Sequence, residues 1–176
     1  MKTLTSRALL VLSWLCLLLL AAPAMAQQKP AEDKSKRPSP PATVTAPTFT
    51  IDYSRPAMKG RKVMGGLVPY GKVWRTGANE ATTFEAKQDL QINGQPLPAG
   101  KYALFTIPGE QEWTIIFNKT ADQWGAYDYK QDQDALRVKA KPTRTAQPVE
   151  QFTISTDPAG NVTMAWENTQ VSFAVK

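Results

Sequence analysis

The segments Lys101-Tyr-Ala-Leu-Phe-Thr-Ile107 and Trp113-Thr-Ile-Ile-Phe117 decide the fold of this chain. Both are short and rich in β-branched and aromatic residues, which is typical of strands, and Pro108-Gly109 between them favours a turn. Both faces of the two segments are apolar. We therefore expect a hairpin in the centre of a sheet, with cover on both sides.

Further strand-like segments lie on both sides of this hairpin. Phe49, Ile51 and Tyr53 alternate with polar residues, and Asn93-Gly94 is a strong turn signal. Other short apolar or alternating segments lie at residues 82–87, 90–92, 136–140, 152–154, 162–166 and 171–175. No segment shows a convincing helical period. About eight or nine closely spaced strands predict one all-β domain, an antiparallel β-sandwich of jelly-roll-like type.

Residues 1–26 have the pattern of a secretory signal peptide. Lys2 and Arg7 are followed by an apolar run at residues 8–20, and Ala24-Met25-Ala26 supplies the small residues that a signal peptidase requires. The run is shorter than the about 20 apolar residues of a membrane span. We therefore expect cleavage after Ala26, export to the periplasm or the extracellular space, and no membrane span in the mature chain.

The residues that follow the predicted cleavage site are polar, charged and rich in proline. Residues 27–42 contain too little apolar surface to offset the entropy lost on ordering, which predicts a disordered tether. The β-sandwich domain would then occupy residues 43–176.

Composition excludes several classes of site. The chain has no histidine, and its one cysteine, Cys16, lies in the predicted signal peptide. Catalysis by Ser-His-Asp or Cys-His and zinc sites built on His or Cys are therefore excluded. Without Lys2 and Arg7, 19 of the 21 basic residues face 15 acidic ones, a net charge of +4, which is weak support for a nucleic-acid partner. We predict no cofactor, no metal and no nucleic-acid partner.

The segment from Tyr70 to Glu80 contains the best candidates for a polar binding site. Arg75 offers a planar set of donors, and Asn79 and Glu80 offer acceptors to a sugar hydroxyl or a carboxylate, beside Tyr70 and Trp74. A structural alternative stays open. In it, Arg75 and Glu80 pair with each other, Asn79 caps a turn and Trp74 belongs to the core.

Three aromatic residues in a polar segment form the second candidate. Trp124, Tyr127 and Tyr129 have the flat, amphipathic side chains that stack on sugar rings or anchor a protein interface. The alternation of Tyr127 and Tyr129 also fits a strand packed on its own domain. The aspartates nearby, at positions 122, 128, 132 and 134, lack the glycine and distal glutamate of a calcium loop, which favours a solvated loop.

The block Gly65-Gly-Leu-Val-Pro-Tyr-Gly-Lys-Val-Trp-Arg-Thr-Gly-Ala-Asn-Glu-Ala-Thr82 resembles the hallmark of a family of exported bacterial proteins. That family is described as domain of unknown function 2911. Further matching segments are Tyr53-Ser-Arg-Pro56, Leu97-Pro-Ala-Gly-Lys-Tyr102, Phe105-Thr-Ile-Pro-Gly109, Trp113-Thr-Ile-Ile-Phe-Asn-Lys119 and Trp124-Gly-Ala-Tyr-Asp-Tyr129. The resemblance covers nearly the whole mature domain and implies an exported, bacterial, mainly β protein. It carries over no catalytic residue.

These observations favour a non-catalytic binding module of the bacterial envelope, whose ligand is a glycan or a small polar molecule. This function requires the two candidate segments to line one cleft. Two alternatives stay open. A carboxylate-dependent hydrolase of envelope polysaccharide would need Glu80 and a second carboxylate, for instance Asp128, about 5–10 Å apart. A structural or assembly protein would need a flat apolar patch for another envelope protein.

Overall fold

The computed structural model describes residues 33–176, so the predicted signal peptide and residues 27–32 of the predicted tether lie outside the described residues. Ten strands make up half of this part of the chain. They are β1 (Pro41–Thr45), β2 (Phe49–Ser54), β3 (Thr82–Ala86), β4 (Leu90–Ile92), β5 (Gln95–Leu97), β6 (Gly100–Ile107), β7 (Trp113–Asn118), β8 (Asp134–Ala140), β9 (Pro142–Thr156) and β10 (Asn161–Ala174). Two short 3₁₀ turns, Lys34–Lys36 and Gln131–Gln133, complete the secondary structure of residues 33–176.

Six strands form the main sheet, in the order β1-β2-β3-β6-β7-β8, and every neighbouring pair is antiparallel. β9 pairs with β10, and β4 pairs with β5. The predicted hairpin is β6–β7, with Phe105 opposite Ile116, and it has a strand on each side. Its expected central position is confirmed.

One face of the main sheet packs against β9 and β10. Phe117 of β7 meets Phe173 of β10 edge to face, with ring centroids 5.9 Å apart. At the β2 side, the Tyr53 hydroxyl receives a hydrogen bond from Ile154 N at 3.0 Å and lies 3.3 Å from Ile154 O, which ties the sheet to β9. A single apolar cluster joins these strands with β4 and β5. The predicted all-β sandwich is confirmed.

The opposite face of the β6–β7 hairpin is covered by loops. Ala103, Phe105 and Ile116 are fully buried there, in contact with a group that includes Val73 and Tyr129. Residues 70–81, here called the Arg75 loop, and residues 119–130, here called the aromatic loop, supply most of this cover. The need to hold these loops explains why the hairpin is apolar on both faces.

The last two predicted strands, at 162–166 and 171–175, are parts of one strand, β10. Glu167 interrupts the alternation because it adopts a positive φ of 57° at an irregularity in the pairing with β9. Its carboxylate accepts hydrogen bonds from Val63 N at 3.1 Å and Met64 N at 3.2 Å. Because the alternation of apolar and polar residues breaks at the bulge, the sequence pattern predicts two strands where the structure has one.

The described part of the predicted tether makes specific contacts with the domain. β1 begins at Pro41, before the predicted domain boundary at residue 43, and Arg55 N donates to Pro40 O at 2.9 Å. Residues 33–40, here called the N-terminal segment, precede this strand. Among residues 33–176, no helix is long and apolar enough to cross a membrane.

Candidate functional site

The structure brings the Arg75 loop and the aromatic loop together. Ala81 N donates to Gln123 O at 2.9 Å, and Gly125 N donates to Asn79 O at 3.1 Å. Glu80 and Trp124 face each other in the short antiparallel bridge that results. The two candidate segments, more than forty residues apart in the chain, therefore form one surface.

The Arg75 loop has a constrained backbone. Thr76 and Asn79 adopt positive φ angles of 54° and 59°, and for a β-branched threonine this conformation is costly. Two hydrogen bonds hold Thr76 in place: Thr82 Oγ1 donates to its carbonyl at 2.7 Å, and its own Oγ1 donates to Thr106 Oγ1 at 3.2 Å. Strain of this kind is retained where the surroundings over-determine it, and it clusters at functional sites.

Arg75 and Gln123 are the residues of the two loops that have a buried side-chain polar atom without a hydrogen-bond partner. The Nε of Arg75 is buried and has no hydrogen-bond partner, and among residues 33–176 no carboxylate pairs with its guanidinium. The expected structural pair of Arg75 with Glu80 does not form. An arginine partly withdrawn from water without a partner pays desolvation with no compensating bond, so this site can accept an anionic or strongly polar group.

Tyr127 presents an exposed ring beside Arg75, and the exposed ring of Trp124 belongs to the same loop. The exposed fractions of Trp124 and Tyr127 are 56% and 81%, against 1–2% for the large aromatic residues of the core such as Phe152 and Phe173. A Cβ placed on Gly125 would lie 2.9 Å from Cε2 of Tyr127 and 3.4 Å from Nη1 of Arg75. Glycine at position 125 therefore allows the tyrosine ring and the guanidinium to approach the same point of the backbone.

Asn79 and Glu80 hold the N-terminal segment. Asn79 Nδ2 donates a hydrogen bond to Ser39 O at 3.1 Å. The Glu80 carboxylate forms ion pairs with Lys34 Nζ at 3.0 Å and with Arg37 Nη1 at 2.7 Å. The Arg37 guanidinium also lies 6.0 Å from the centroid of the Trp124 ring, within the range of a cation–π contact. Asn79 and Glu80 thus position a neighbouring segment at the edge of the candidate surface.

The electrostatics of Glu80 follow from these contacts. Burial by itself would raise its pKa, but hydrogen bonds from its own backbone and from Lys34 and Arg37 outweigh that effect. The pKa of Glu80 falls from 4.5 to about 2. This carboxylate is ionised at neutral pH and is poorly suited to donate a proton as a general acid.

Glu80→Gln should lower stability at neutral pH and have little effect near pH 2. Because the folded pKa is depressed, the stabilisation is complete above pH 4.5 and is lost as the pH falls towards about 2. With a side chain 38% exposed, solvent screening limits the effect to about 1 kcal/mol. Melting temperatures of wild type and variant at pH 7, 4 and 2 measure this pH-dependent loss of stability. The control is Asp122→Asn, because Asp122 also pairs with a lysine, Lys101, but its side chain is 87% exposed. An equal difference at pH 7 and pH 2 would contradict this account.

The other predicted site residues lie elsewhere. Trp74 is partly buried and packs against the core, with its ring centroid 5.9 Å from that of Trp166 and its Nε1 donating to Gly77 O at 3.1 Å. This is the placement that the structural alternative assigned to Trp74. Tyr70, 38% exposed, lines a separate cavity of about 200 Å³ with Trp113 and Arg144.

Tyr129 faces its own domain. Its hydroxyl donates to Asp134 Oδ2 at 2.8 Å and accepts from Arg137 Nη2, and its ring meets that of Phe105 edge to face. Burial, together with the bond to the Asp134 carboxylate, raises the pKa of Tyr129. The structure therefore brings together Arg75, Trp124 and Tyr127, with Asn79 and Glu80 at their edge, and it places Tyr70, Trp74 and Tyr129 in other contacts.

Sequence reasoning missed the contribution of the N-terminal segment. Lys34, Arg37 and Ser39 lie in a stretch whose composition is typical of a disordered tether, and their partners are about forty residues away. The one available signal was the presence of several cations in that stretch and a glutamate in the Arg75 loop. Such a pairing has no local pattern.

Paired carboxylates were the requirement of the hydrolase alternative. Asp52, Glu80 and Asp122 line a cavity of about 230 Å³, and Asp128 is not among its lining residues. Each of the three has a partner: Asp52 accepts from Thr43 Oγ1 at 2.6 Å, and the other two pair with lysine or arginine. Within residues 33–176, no cluster of three or more acidic side chains is arranged to hold a metal ion.

Comparison with known proteins places the whole of this architecture in one family. A family model described as "Protein of unknown function (DUF2911)" matches residues 36–175, which include all ten strands and both candidate loops. Searches of the curated proteins and of the solved structures returned no match. The match confirms the resemblance carried by the block at residues 65–82, and the chain belongs to the family of proteins of unknown function DUF2911.

Proposed function

We propose that this protein is a non-catalytic binding module of the bacterial envelope, which holds a glycan or a small polar ligand on the surface formed by Arg75, Trp124 and Tyr127. The observation that carries the proposal is an arginine without a carboxylate partner beside the exposed ring of Tyr127, with the exposed ring of Trp124 in the same loop. Sugars are bound by this combination, because flat rings cover the apolar face of the sugar and polar groups fix its hydroxyls.

The signal-peptide pattern of residues 1–26 and the family resemblance support an exported location. The absence of cysteine from the mature chain is compatible with it, since the domain has a continuous apolar core that needs no disulfide.

A binding function fits the surface better than hydrolysis does. The hydrolase alternative would require a protonated carboxyl group beside an ionised one. Glu80, which pairs with Trp124 across the two loops, has a pKa of about 2 and is held by Lys34 and Arg37. Its role in the proposal is to anchor the N-terminal segment beside the ligand.

Envelope glycans should change the tryptophan fluorescence of the exported protein in a saturable way. Trp124 is exposed, whereas Trp74, Trp113 and Trp166 contact one another or the core, so a bound sugar ring should alter mainly the emission of Trp124. Titrations with peptidoglycan fragments and lipopolysaccharide oligosaccharides provide the measurement.

Substitutions of single aromatic residues test whether the ligand binds at this surface or elsewhere on the domain. Tyr127→Ala should weaken binding about fivefold or more, since loss of one stacking ring costs on the order of 1 kcal/mol or more. Trp124→Ala should have a similar effect when binding is followed by calorimetry. Tyr70→Ala, which removes a partly exposed tyrosine from another cavity, is the matched control and should leave the affinity unchanged. Equal losses in all three variants, or no binding by any glycan, would refute the proposal and favour a protein partner for the exposed rings.

A further inference from the structure

A cavity of about 280 Å³ adjoins Arg75. Much of its wall is apolar, with Trp74, Trp166 and Val68 on it and the 45% exposed Leu67 at its rim. This volume is close to the lower limit of about 300 Å³ for ligand pockets, so it suits a substituent of a ligand better than a whole oligosaccharide.

The charges that line this cavity have one sign. Arg61 and Arg75 are its charged residues, and no carboxylate within the described part of the chain lines it. Arg61 donates from Nε to Met58 O at 2.9 Å and from Nη2 to Ala57 O at 2.8 Å. Those carbonyls orient the guanidinium of the exposed Arg61 but carry no formal charge, and no acidic residue of the cavity lining compensates the charge of either arginine. Such a site attracts an anion.

Arg75 connects this cavity with the aromatic surface. The same side chain lines the cavity and places Nη1 3.4 Å from the Cβ position of Gly125, against which the Tyr127 ring lies. A sugar ring on Tyr127 would therefore be next to the guanidinium, and a short acidic substituent of that sugar could enter the cavity.

We infer that the ligand is an acidic sugar, whose carboxylate enters the cavity between Arg61 and Arg75 while its ring lies on Tyr127. The inference rests on the proposed function, because it uses the same aromatic surface. Arg75 supplies the planar pair of N–H donors that matches a carboxylate from its two Nη atoms, since its Nε is buried. The apolar wall covers the carbon atoms that join the carboxylate to the ring.

Three probes with related rings test the inference by calorimetry on the exported protein: N-acetylmuramic acid, its methyl ester, and N-acetylglucosamine 6-phosphate. The acid should bind at least about tenfold more tightly than the ester, since a charge-assisted bidentate bond is worth on the order of 1.5–3 kcal/mol. Arg75→Gln should reduce the ratio of the two affinities to about one. Arg144→Gln, the same change of charge at an exposed position in another cavity, should leave the ratio as in the wild type.

The outcomes distinguish the inference from the function on which it rests. Equal affinities of wild type for acid and ester, both lost in Tyr127→Ala, would overturn the inference and leave the binding module intact. Tighter binding of the phosphate than of the acid would overturn it as well, whereas no binding of any probe would count against both. If Arg75→Gln fails to fold, the pH dependence of binding by the wild type tests the inference instead. The affinity for the acid should decrease at pH values below the pKa of its carboxylate, about 3.5, whereas the affinity for the ester should not change.

Discussion

Trp74→Ala should lower the free energy of unfolding by about 3 kcal/mol, the lower end of the usual cost of removing a large aromatic side chain from a core, because the ring is partly buried. The Trp74 ring lies among Trp113, Phe152 and Trp166, with centroid distances of 6.4, 5.1 and 5.9 Å. Its truncation would leave a cavity lined by three aromatic rings, and it would remove the hydrogen bond that the indole Nε1 donates to Gly77 O. Urea unfolding followed by circular dichroism measures the loss.

Trp124→Ala is the matched control for this prediction. Both tryptophans lie in glycine-containing polar loops, but Trp124 is 56% exposed and contacts the guanidinium of Arg37. Its removal should change stability by about 0.5–1 kcal/mol, as for a surface residue with one cation–π contact. Similar losses in the two variants would show that the core placement of Trp74 and the exposed placement of Trp124 are not distinct.

Gly160→Ala should cost roughly 3 kcal/mol, because it combines backbone strain with a collision. Gly160 has a φ of 85°, and a Cβ there would lie 2.3 Å from Val175 O, a backbone atom that cannot move without the chain end. The same region carries the hydrogen bonds from Gly160 N to Asp157 O and from Val175 N to Gly160 O. Relief of the collision would break the turn between β9 and β10.

The variant Gly71→Ala separates the cost of backbone strain from the cost of the collision. Gly71 has a φ of 70°, but nothing lies within 4 Å of its Cβ position, so alanine there should pay only the conformational cost of about 1–2 kcal/mol. The difference between the two variants in denaturant unfolding measures the collision. If both lose the same stability, the contact of residue 160 with Val175 is not a constraint on the turn.

The strands were largely predictable because their signals are local. The β6–β7 hairpin follows from two apolar segments around Pro108-Gly109, and β4 was predicted together with the Asn93-Gly94 turn that follows it. β5 was not predicted, because Pro96 and Pro98 are typical of a connection. β1 was not predicted, since its burial depends on pairing with β2 and its composition continues that of the segment before it. β10 was predicted as two strands because Glu167 breaks the alternation where a bulge, stabilised by Val63 N and Met64 N, continues the pairing.

The candidate site was predictable in its membership but not in its arrangement. Residue types alone selected Arg75, Glu80 and Trp124, which the structure brings to one surface. They did not reveal that Glu80 pairs with the N-terminal segment and that Arg75 is left without a carboxylate. The ion-pair partner of a charged residue depends on which loops meet after folding, and the spacing of residues along the sequence does not predict which loops meet.

The sequence by itself determined that this is an all-β protein of the DUF2911 family, without histidine and with an unusual polar block at residues 65–82. Alternation, turn residues and composition act over a few residues, so they can be read from the chain. Only the tertiary structure decided which tryptophan is core and which is surface, and which arginine has a partner. Burial and charge pairing are set by contacts between residues 40 to 100 positions apart, and these exist only once the sheet has closed over its core.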